Sequence, residues 1–356
     1  MTFHESFPIL NHYTYLNTAN SGLLSTSIAN WRQQHDADFV QGGSLFRADS
    51  LNIMEELRIN LADVFSLQKE NIFLSPNFSI GFNTILDGID QKHRFLLLKE
   101  DYPSVSYPVT SRGFEFLEIP IDANLEEHIL SSIEKFKPTV FAFSLVQYIS
   151  GIKMQSDFIK NLKANFPDLI LFADGTQFLG TSVFDFEKSG LDVLIGSGYK
   201  WLLGGYGNAY IFLSDAMKNS VYDNRKQSVL PTAPFLSGRD HLSLSLEPGH
   251  LDSLSFGTLN QGINYLKSIG FDFIEKITQK LTDKARVALH EKGLLEDWVM
   301  KRKEQSTIMS MPLQKPIVSK LKAEKILCSP RGTGTRISFH FYNTEEDLNR
   351  LVEVLR

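Results

Sequence analysis

An acid and a lysine follow two successive apolar runs of the chain, each at the point where a strand is predicted to end. Asp174 opens the segment Asp174-Gly-Thr-Gln177 after the run Leu169–Ala173, and Lys200 closes Ser197-Gly-Tyr-Lys200 after Val193–Ile195. They are 26 residues apart, which suffices for one helical crossover, so adjacent or near-adjacent strands are expected. Alone, an Asp-Gly after a strand is usually a turn and a lysine there is usually solvated.

The two residues together favour a pocket that holds pyridoxal 5′-phosphate. A lysine forms a Schiff base with the aldehyde of this cofactor, and a carboxylate keeps the pyridine nitrogen protonated so that the ring accepts electrons. The phosphate needs backbone N–H donors at a helix N-terminus. The segment Ser75-Pro-Asn-Phe-Ser79 follows Ile72–Leu74 and precedes a helical pattern, so it is one candidate; an ordinary serine N-cap is the other interpretation.

Further side chains follow other predicted strands. Tyr102 comes shortly after Phe95–Leu98, and Gln147-Tyr148 follows Val140–Val146. In open α/β sheets ligands bind beyond the carboxyl ends of the strands. An acid, a lysine, an amide and an aromatic ring are therefore expected at one edge of the sheet.

The elements that position these residues alternate along the chain. Apolar runs and helical patterns succeed one another from about residue 70 to residue 215, which predicts a doubly wound, mostly parallel α/β domain. A long helical pattern at Phe271–His290 then precedes short strands at Thr307–Met311 and Arg336–Phe341, and Thr344 begins a final helix. We predict a large domain over 15–262 and a smaller α+β domain formed by 1–14 and 263–356.

The composition narrows the function classes. The chain has 356 residues, a formal net charge of −5 and one cysteine. These values argue against nucleic acid or an anionic membrane as the main partner, and against disulfides, a multi-cysteine zinc site or an iron–sulfur cluster. No apolar run approaches 18 residues, and the first residues lack the pattern of a secretory signal. We expect a soluble cytoplasmic enzyme with no metal.

Several segments resemble the class V aminotransferase family of fold-type I pyridoxal-phosphate enzymes, from about residue 8 to the last residue. This family includes cysteine desulfurases, selenocysteine lyases, kynureninase and isopenicillin N epimerase-like proteins. The Asp174–Gln177 and Ser197–Lys200 segments are similar to its Asp-Gly-x-Gln and Ser-x-His-Lys pair. The other matching segments are Tyr15-Leu-Asn-Thr-Ala19, Asn77-Phe-Ser-Ile-Gly-Phe-Asn83, Glu247-Pro-Gly-His250 and Arg336-Ile-Ser-Phe-His-Phe-Tyr-Asn-Thr344.

The resemblance implies a role for each matching residue. Lys200 would be the Schiff-base lysine and move the proton at the substrate Cα, while Asp174 would pair with the pyridinium nitrogen. Gln177 would donate to the phenolic oxygen of the cofactor, and Tyr102 would stack on its ring. The remaining roles are implied for Phe78, Ser79 and Ser197 at the phosphate, and for Arg336 and Asn17 at the substrate, with Arg336 binding the carboxylate.

The family fold also implies a homodimer with its active sites at the subunit interface, where the Gly249-His250 segment would reach the phosphate in the partner subunit. The sequence departs from the family pattern at four places. Tyr199 replaces a histidine, His250 replaces a threonine, and Phe78 replaces a small residue. Gln147-Tyr148 stands where many members have an asparagine.

The reaction is left open among three chemistries on an amino acid substrate, with aminotransferase as the leading prediction. A cysteine desulfurase needs a mobile, exposed thiol, whereas Cys328 lies in an apolar segment that reads as a strand and favours a buried structural cysteine. A lyase that acts without this thiol and an amino-acid epimerase are the alternatives. A non-catalytic relative that keeps the fold for binding is the alternative from another class.

Overall fold

The computed structural model describes residues 3–355 and contains three sheets. The strands are Thr14–Tyr15 (β1), Ile72–Ser75 (β2), Arg94–Leu98 (β3), Glu115–Ile119 (β4), Val140–Ser144 (β5), Ile170–Asp174 (β6), Val193–Ser197 (β7), Ala209–Leu213 (β8), Ile308–Met311 (β9), Ile326–Leu327 (β10), Ser329–Arg331 (β11) and Gly334–Ser338 (β12).

Helices separate most of these strands. They are Thr26–Gly42 (α1), Phe46–Phe65 (α2), Phe78–Leu86 (α3), Pro103–Ser111 (α4), Leu125–Phe136 (α5), Ser156–Asn165 (α6), Asp215–Ser220 (α7), His241–Leu246 (α8), Ser253–Ile269 (α9), Phe271–Glu291 (α10), Asp297–Met300 (α11), Lys315–Ala323 (α12) and Glu345–Val354 (α13). Thr344 forms a capping box with Asp347 at the start of α13, as the sequence predicts. No helix in this part of the chain is both long and apolar enough to cross a membrane.

The large sheet has seven strands in the order β2-β8-β7-β6-β5-β3-β4. Strand β8 runs antiparallel to both of its neighbours, and the other pairs are parallel. The predicted mostly parallel sheet is therefore confirmed. Strands β6 and β7 are direct neighbours, so Asp174 and Ser197 end adjacent strands at the same edge.

Both faces of this sheet are covered, which explains the near-continuous apolar runs. Along β3, Phe95 and Leu97 pack in one core cluster, whereas Leu96 and Leu98 pack in another. This alternation follows from the two-residue period of a strand. Helices α2, α5, α6 and α9 supply apolar side chains to one cluster, and α3, α4, α7 and α8 supply the other. The large sheet is thus doubly wound.

The C-terminal region contains the antiparallel sheet β11-β12-β9 and contributes β10, which pairs in parallel with β1 near the chain start. A third core cluster joins α10, α12, α13 and this small sheet, and it includes Leu16. The division of the chain into 15–262 and the remainder stays a prediction.

Two local expectations need correction. Strand β12 ends at Ser338 rather than at Phe341, because the backbone N–H of His340 donates to the side chain of Asn343 (2.9 Å) and the chain turns there. Cys328 lies between β10 and β11 rather than within a strand, and its side chain is only partly buried.

Candidate active site

Lys200 lies in a tight turn just after β7. The Gly198 N–H donates to the Asn208 carbonyl (3.2 Å), and the Gly22 N–H donates to the Tyr199 carbonyl (2.9 Å). A Cβ at Gly22 would overlap the carbonyl oxygen of Lys200, so only glycine permits this close approach. The N-terminal segment therefore holds the backbone of the lysine in place.

The Lys200 side chain is buried at the carboxyl edge of the large sheet. Burial lowers the pKa of its amine to about 7, and the nearby Arg336 guanidinium acts in the same direction, while Asp174 opposes them. Because desolvation penalises the ammonium form, much of this amine is uncharged near neutral pH. An uncharged amine is the form that attacks a carbonyl carbon.

Asp174 is buried at the end of β6. Burial raises the pKa of this carboxyl group to about 6, against the hydrogen bonds of Thr176 and the charge of Lys200. The Thr176 N–H donates to Oδ1 of Asp174 (2.8 Å), which fixes the carboxyl group. Asp174 lines the same pocket as Lys200. The acid and the amine therefore face one shared space.

This pocket has a volume of about 430 Å³, within the range of roughly 300–1,000 Å³ common for small-molecule sites. It brings together most of the site residues predicted from the sequence. The predicted residues that line it are Lys200, Asp174, Gln177, Tyr102, Phe78, Ser79 and Ser197.

The N-terminus of α3 forms one end of the pocket. Asn77 caps this helix by accepting from the Ile80 N–H (2.9 Å), so the cap is Asn77 and not a serine. The Phe78 N–H donates to the Ser197 hydroxyl oxygen (2.9 Å), and the Ser79 hydroxyl donates to Ser104 (2.7 Å). The start of α3 and the end of β7 therefore bring backbone N–H groups close to the hydroxyl groups of Ser79 and Ser197. This arrangement suits the binding of an anion.

Aromatic rings form one wall. Tyr102 is the N-cap residue that precedes α4, and its ring centroid lies 5.4 Å from that of Tyr148 in an edge-to-face arrangement. On the floor, Gln177 accepts from the Trp201 indole N–H (3.0 Å) and donates to the Ala19 carbonyl (2.8 Å). An amide NH₂ has two hydrogens, so one donor of Gln177 remains for a ligand.

Arg336 lies on β12 and is buried outside the set of residues that line the pocket. Its Nη1 donates to the Tyr148 carbonyl (2.6 Å), but Nε and Nη2 are buried without hydrogen-bond partners within residues 3–355. Desolvation lowers its pKa to about 10, so it keeps its charge at neutral pH. Two parallel N–H groups without acceptors suit a carboxylate.

Two of the predicted residues lie elsewhere. Asn17 accepts from the Ser329 hydroxyl (2.6 Å) and forms a bridge with Ser338, two residues from Arg336. His250 is exposed in a different cleft, where its Nε2 lies 3.0 Å from Nη2 of Arg47. A single subunit therefore does not bring His250 to its own lysine pocket.

The sequence reasoning missed Asp101 and Ser144. Asp101 is buried, and burial raises the pKa of its carboxyl group. It accepts from the Ser144 hydroxyl (2.6 Å) and from the Tyr102 N–H (2.7 Å), so it fixes the end of β5 and the residue that precedes α4. The available signal was an acid three residues after the end of β3, at the same edge of the sheet as Asp174 at the end of β6.

Gln147 and Tyr148 face in different directions. The side-chain oxygen of Gln147 accepts from the N–H groups of Ile149 (2.8 Å) and Ser150 (2.6 Å), and its amide nitrogen donates to the Glu100 carbonyl (2.7 Å). This amide therefore stabilises its own turn, whereas Tyr148 lines the pocket. The described residues contain no group of three or more metal-ligating side chains.

The chain is similar to known proteins over nearly its whole length. Residues 23–351 match the family model described as aminotransferase class-V. An uncharacterized aminotransferase, YcbU, of Bacillus subtilis (strain 168) is 20% identical, over 99% of this chain and 96% of its own length. A probable cysteine desulfurase of Borreliella burgdorferi is 22% identical, over 98% of this chain and 93% of the relative.

Solved structures show the same fold. C-DES, a cystine C–S lyase solved with glycine linked to its PLP cofactor, superposes with a TM-score of 0.86 at 17% identity. The superposition covers 99% of this chain and 98% of C-DES. The fold is therefore that of a fold-type I pyridoxal-phosphate (PLP) enzyme.

Proposed function

We propose that this chain, which belongs to the class-V aminotransferase family, transfers the amino group of an α-amino acid. It is a PLP-dependent, aminotransferase-like enzyme. The observation that carries the proposed substrate class is the buried Arg336 guanidinium, whose Nε and Nη2 have no acceptor among the described residues. A substrate carboxylate supplies those acceptors.

The pocket residues fit the cofactor. Lys200 offers a buried amine with a lowered pKa, and Asp174 offers a buried carboxyl group that Thr176 fixes. The N-terminus of α3 with Ser79 and Ser197 would hold the phosphate, and Tyr102 would cover the ring. When bound, the cofactor supplies an aldehyde for covalent attachment and an aromatic ring that accepts electrons.

The residues of this chain then have distinct tasks. Arg336 binds the substrate carboxylate and so orients the Cα of the substrate. Lys200 takes and returns the proton at that Cα, for which a pKa of about 7 suits an acid–base group. Asp174 supplies a negative charge behind the ring, and Tyr102 and Tyr148 reduce the access of water to one side of the pocket.

The environment of the Cys328 thiol disfavours persulfide formation and so favours transamination. Cys328 is the only cysteine of the chain, it lies between two short paired strands, and burial raises its pKa. A persulfide mechanism needs a thiolate on a mobile segment. Cys328 is held as a neutral thiol between paired strands, so it is neither a thiolate nor part of a mobile segment.

A lyase that uses no protein thiol is the second candidate. Two relatives similar over most of this chain are named probable cysteine desulfurases, and C-DES is a cystine C–S lyase. An epimerase needs a second acid–base group on the opposite face of the substrate. Tyr102 lines the pocket and carries a hydroxyl group, so it is the candidate for that role. A purely binding function is disfavoured because Lys200, Asp174 and Arg336 are all retained.

We also propose a homodimer. Around His250 lies a cleft of about 1010 Å³ with large exposed apolar side chains, among them Phe39 and Phe235, which are 56% and 74% exposed. Nearby, Glu247 forms an ion pair with Arg58 (2.7 Å), which fixes the base of the His250 segment. A second copy would cover the apolar surface and receive His250 at its phosphate site. Light scattering that gives the mass of one chain would contradict this proposal.

A panel of amino acids tests the reaction. The holoenzyme is mixed with each amino acid, the cofactor absorbance is followed, and the products are measured. Amino transfer predicts one equivalent of keto acid and a cofactor that keeps the amino group until a second keto acid is added. Sulfide, persulfide or ammonia as the product would favour the lyase, and loss of chirality alone would favour the epimerase.

A further inference from the structure

A third cleft, separate from the Lys200 pocket and from the cleft around His250, lies beyond the edge of the large sheet, next to the C-terminal region. Its volume is about 1230 Å³, and none of its lining residues also lines the Lys200 pocket. One side of the cleft is formed by residues that follow β3 and β4 and by the turn at 147–150. The C-terminal region contributes residues 293–301 and strand β9.

Arg286 of α10 lies deep in this cleft. Its Nη2 donates to the carbonyl oxygens of Ser306 and Ile308, and its Nε is buried without a partner in the described part of the chain. Burial lowers its pKa to about 10 and exceeds the opposing effect of Asp283, an exposed residue one turn away, so the guanidinium is charged at neutral pH. A buried charge that is only partly compensated is costly, so an anionic ligand is favoured here.

The other charged residues of the cleft lie at its rim. They are exposed and of mixed sign, so water and salt screen them. These rim residues are Lys99, Glu100, Glu118, Glu296, Asp297 and Lys301. Apolar side chains line the space between this rim and Arg286. Four of them are Ile149, Leu294, Trp298 and Met309. One deep cation below apolar walls fits a molecule with one anionic end and an apolar body.

We propose that this cleft binds a small carboxylic acid with an apolar body, with its carboxylate at Arg286 and its body against Trp298. The site is distinct from the active site and does not depend on which reaction the enzyme catalyses. Because Nη2 already donates to two carbonyl oxygens, the donors that Arg286 offers to a carboxylate are the Nε–H, which has no partner among the described residues, and the Nη1 hydrogens.

The cleft is connected to the substrate arginine through the turn at 147–151. On the cleft side, Ile149 and Ser150 line the wall, and the Ser306 hydroxyl donates to the Gly151 carbonyl (2.6 Å). On the other side of the same turn, the Tyr148 carbonyl accepts from Arg336. We expect a ligand that displaces this turn to change the position of Arg336, and therefore to change the KM for the amino acid more than kcat.

Calorimetry with phenylacetate tests the site, since this probe carries a carboxylate and a flat apolar body but no amine. The holoenzyme with Arg336→Ala is titrated, so that the active-site carboxylate contact is removed. We expect saturable binding of phenylacetate, and binding of the neutral analogue phenylacetamide at least tenfold weaker. Adding Arg286→Met should weaken phenylacetate binding at least tenfold, and adding Arg350→Met, at an exposed arginine of α13, should leave it unchanged.

A second variant covers the possibility that Arg286→Met does not fold. Trp298 is partly exposed at the cleft and Trp298→Ala leaves Arg286 in place, so phenylacetate binding should weaken at least threefold. No phenylacetate binding in the Arg336→Ala protein would overturn the proposal. So would binding that is equally strong for phenylacetamide, or binding that neither the Arg286 nor the Trp298 change weakens.

Discussion

Two buried basic side chains belong to the proposed active site, and burial affects them differently in the two sheets. The large sheet places Lys200 close to Asp174 at neighbouring strand ends, and burial brings the pKa of the lysine to about 7. The small sheet carries Arg336, and two nitrogens of this side chain lack acceptors within the described part of the chain. The same burial therefore gives a lysine that can lose its proton and an arginine that cannot. The lysine therefore suits proton transfer, and the arginine suits binding of the substrate carboxylate.

The largest effect is expected for Lys200→Ala. Loss of the amine removes both covalent attachment and proton transfer, so turnover should fall by at least about 10³-fold. The measurement is kcat with the best substrate of the amino acid panel. The control is Lys188→Ala, since Lys188 is exposed and pairs with Asp185 away from the pocket. Residual turnover above a tenth of the unmodified rate would remove Lys200 from the catalytic role.

The second-largest effect on turnover is expected for Asp174→Asn. The amide keeps the shape of the side chain but loses the charge behind the cofactor ring, so kcat should fall by about 10²-fold or more. Folding should be preserved, because a buried carboxyl group with a raised pKa costs stability when it ionises. Asp168→Asn, at an exposed position, is the matched control. Full activity in the Asp174→Asn protein would show that the ring needs no anion here.

Arg336→Ala should weaken the binding of the amino acid substrate and so raise its KM. Loss of a desolvated carboxylate contact costs about 2–4 kcal/mol, which raises KM by roughly 30- to 10³-fold. Arg336→Lys keeps the charge without the planar pair of N–H groups and should recover only part of this loss. A KM within twofold of the unmodified enzyme would assign the substrate carboxylate to another residue.

The contrast between the two cations also predicts a pH dependence. With a pKa of about 7, the Lys200 amine is mostly protonated at pH 6 and mostly neutral at pH 8. The rate at which cofactor-free protein captures added pyridoxal phosphate should therefore rise about tenfold over this range and level off above it. A rate that keeps rising by tenfold per pH unit up to pH 10 would indicate an ordinary lysine.

The smallest effect is expected for Cys328→Ser. The thiol is partly buried between β10 and β11, and burial raises its pKa, so it is held as a neutral thiol. Turnover should change by less than about twofold, since a substitution away from the reacting groups has a small effect. Loss of activity in this variant, with folding intact, would revive the desulfurase reaction.

The fold and the lysine–acid pair were predictable because they depend on local patterns. Apolar runs covered on both faces mark parallel strands, and residues after neighbouring strands meet at one edge. Asp101 was missed because its burial depends on Ser144, 43 residues away in sequence. The orientation of the Gln147 side chain could not be predicted either, because it depends on the shape of the turn that follows. The proposed role of His250 depends on a second subunit, so it followed only from the family resemblance and not from the residue pattern of the chain.

Covalent trapping tests the central claim most directly. The holoenzyme is treated with borohydride, digested and analysed by mass spectrometry to find which lysine carries the cofactor. We predict one labelled site per chain, at Lys200, together with loss of the yellow colour, and no label in the Lys200→Ala protein. Label at a different lysine, or a purified protein that takes up no pyridoxal phosphate, would contradict the account.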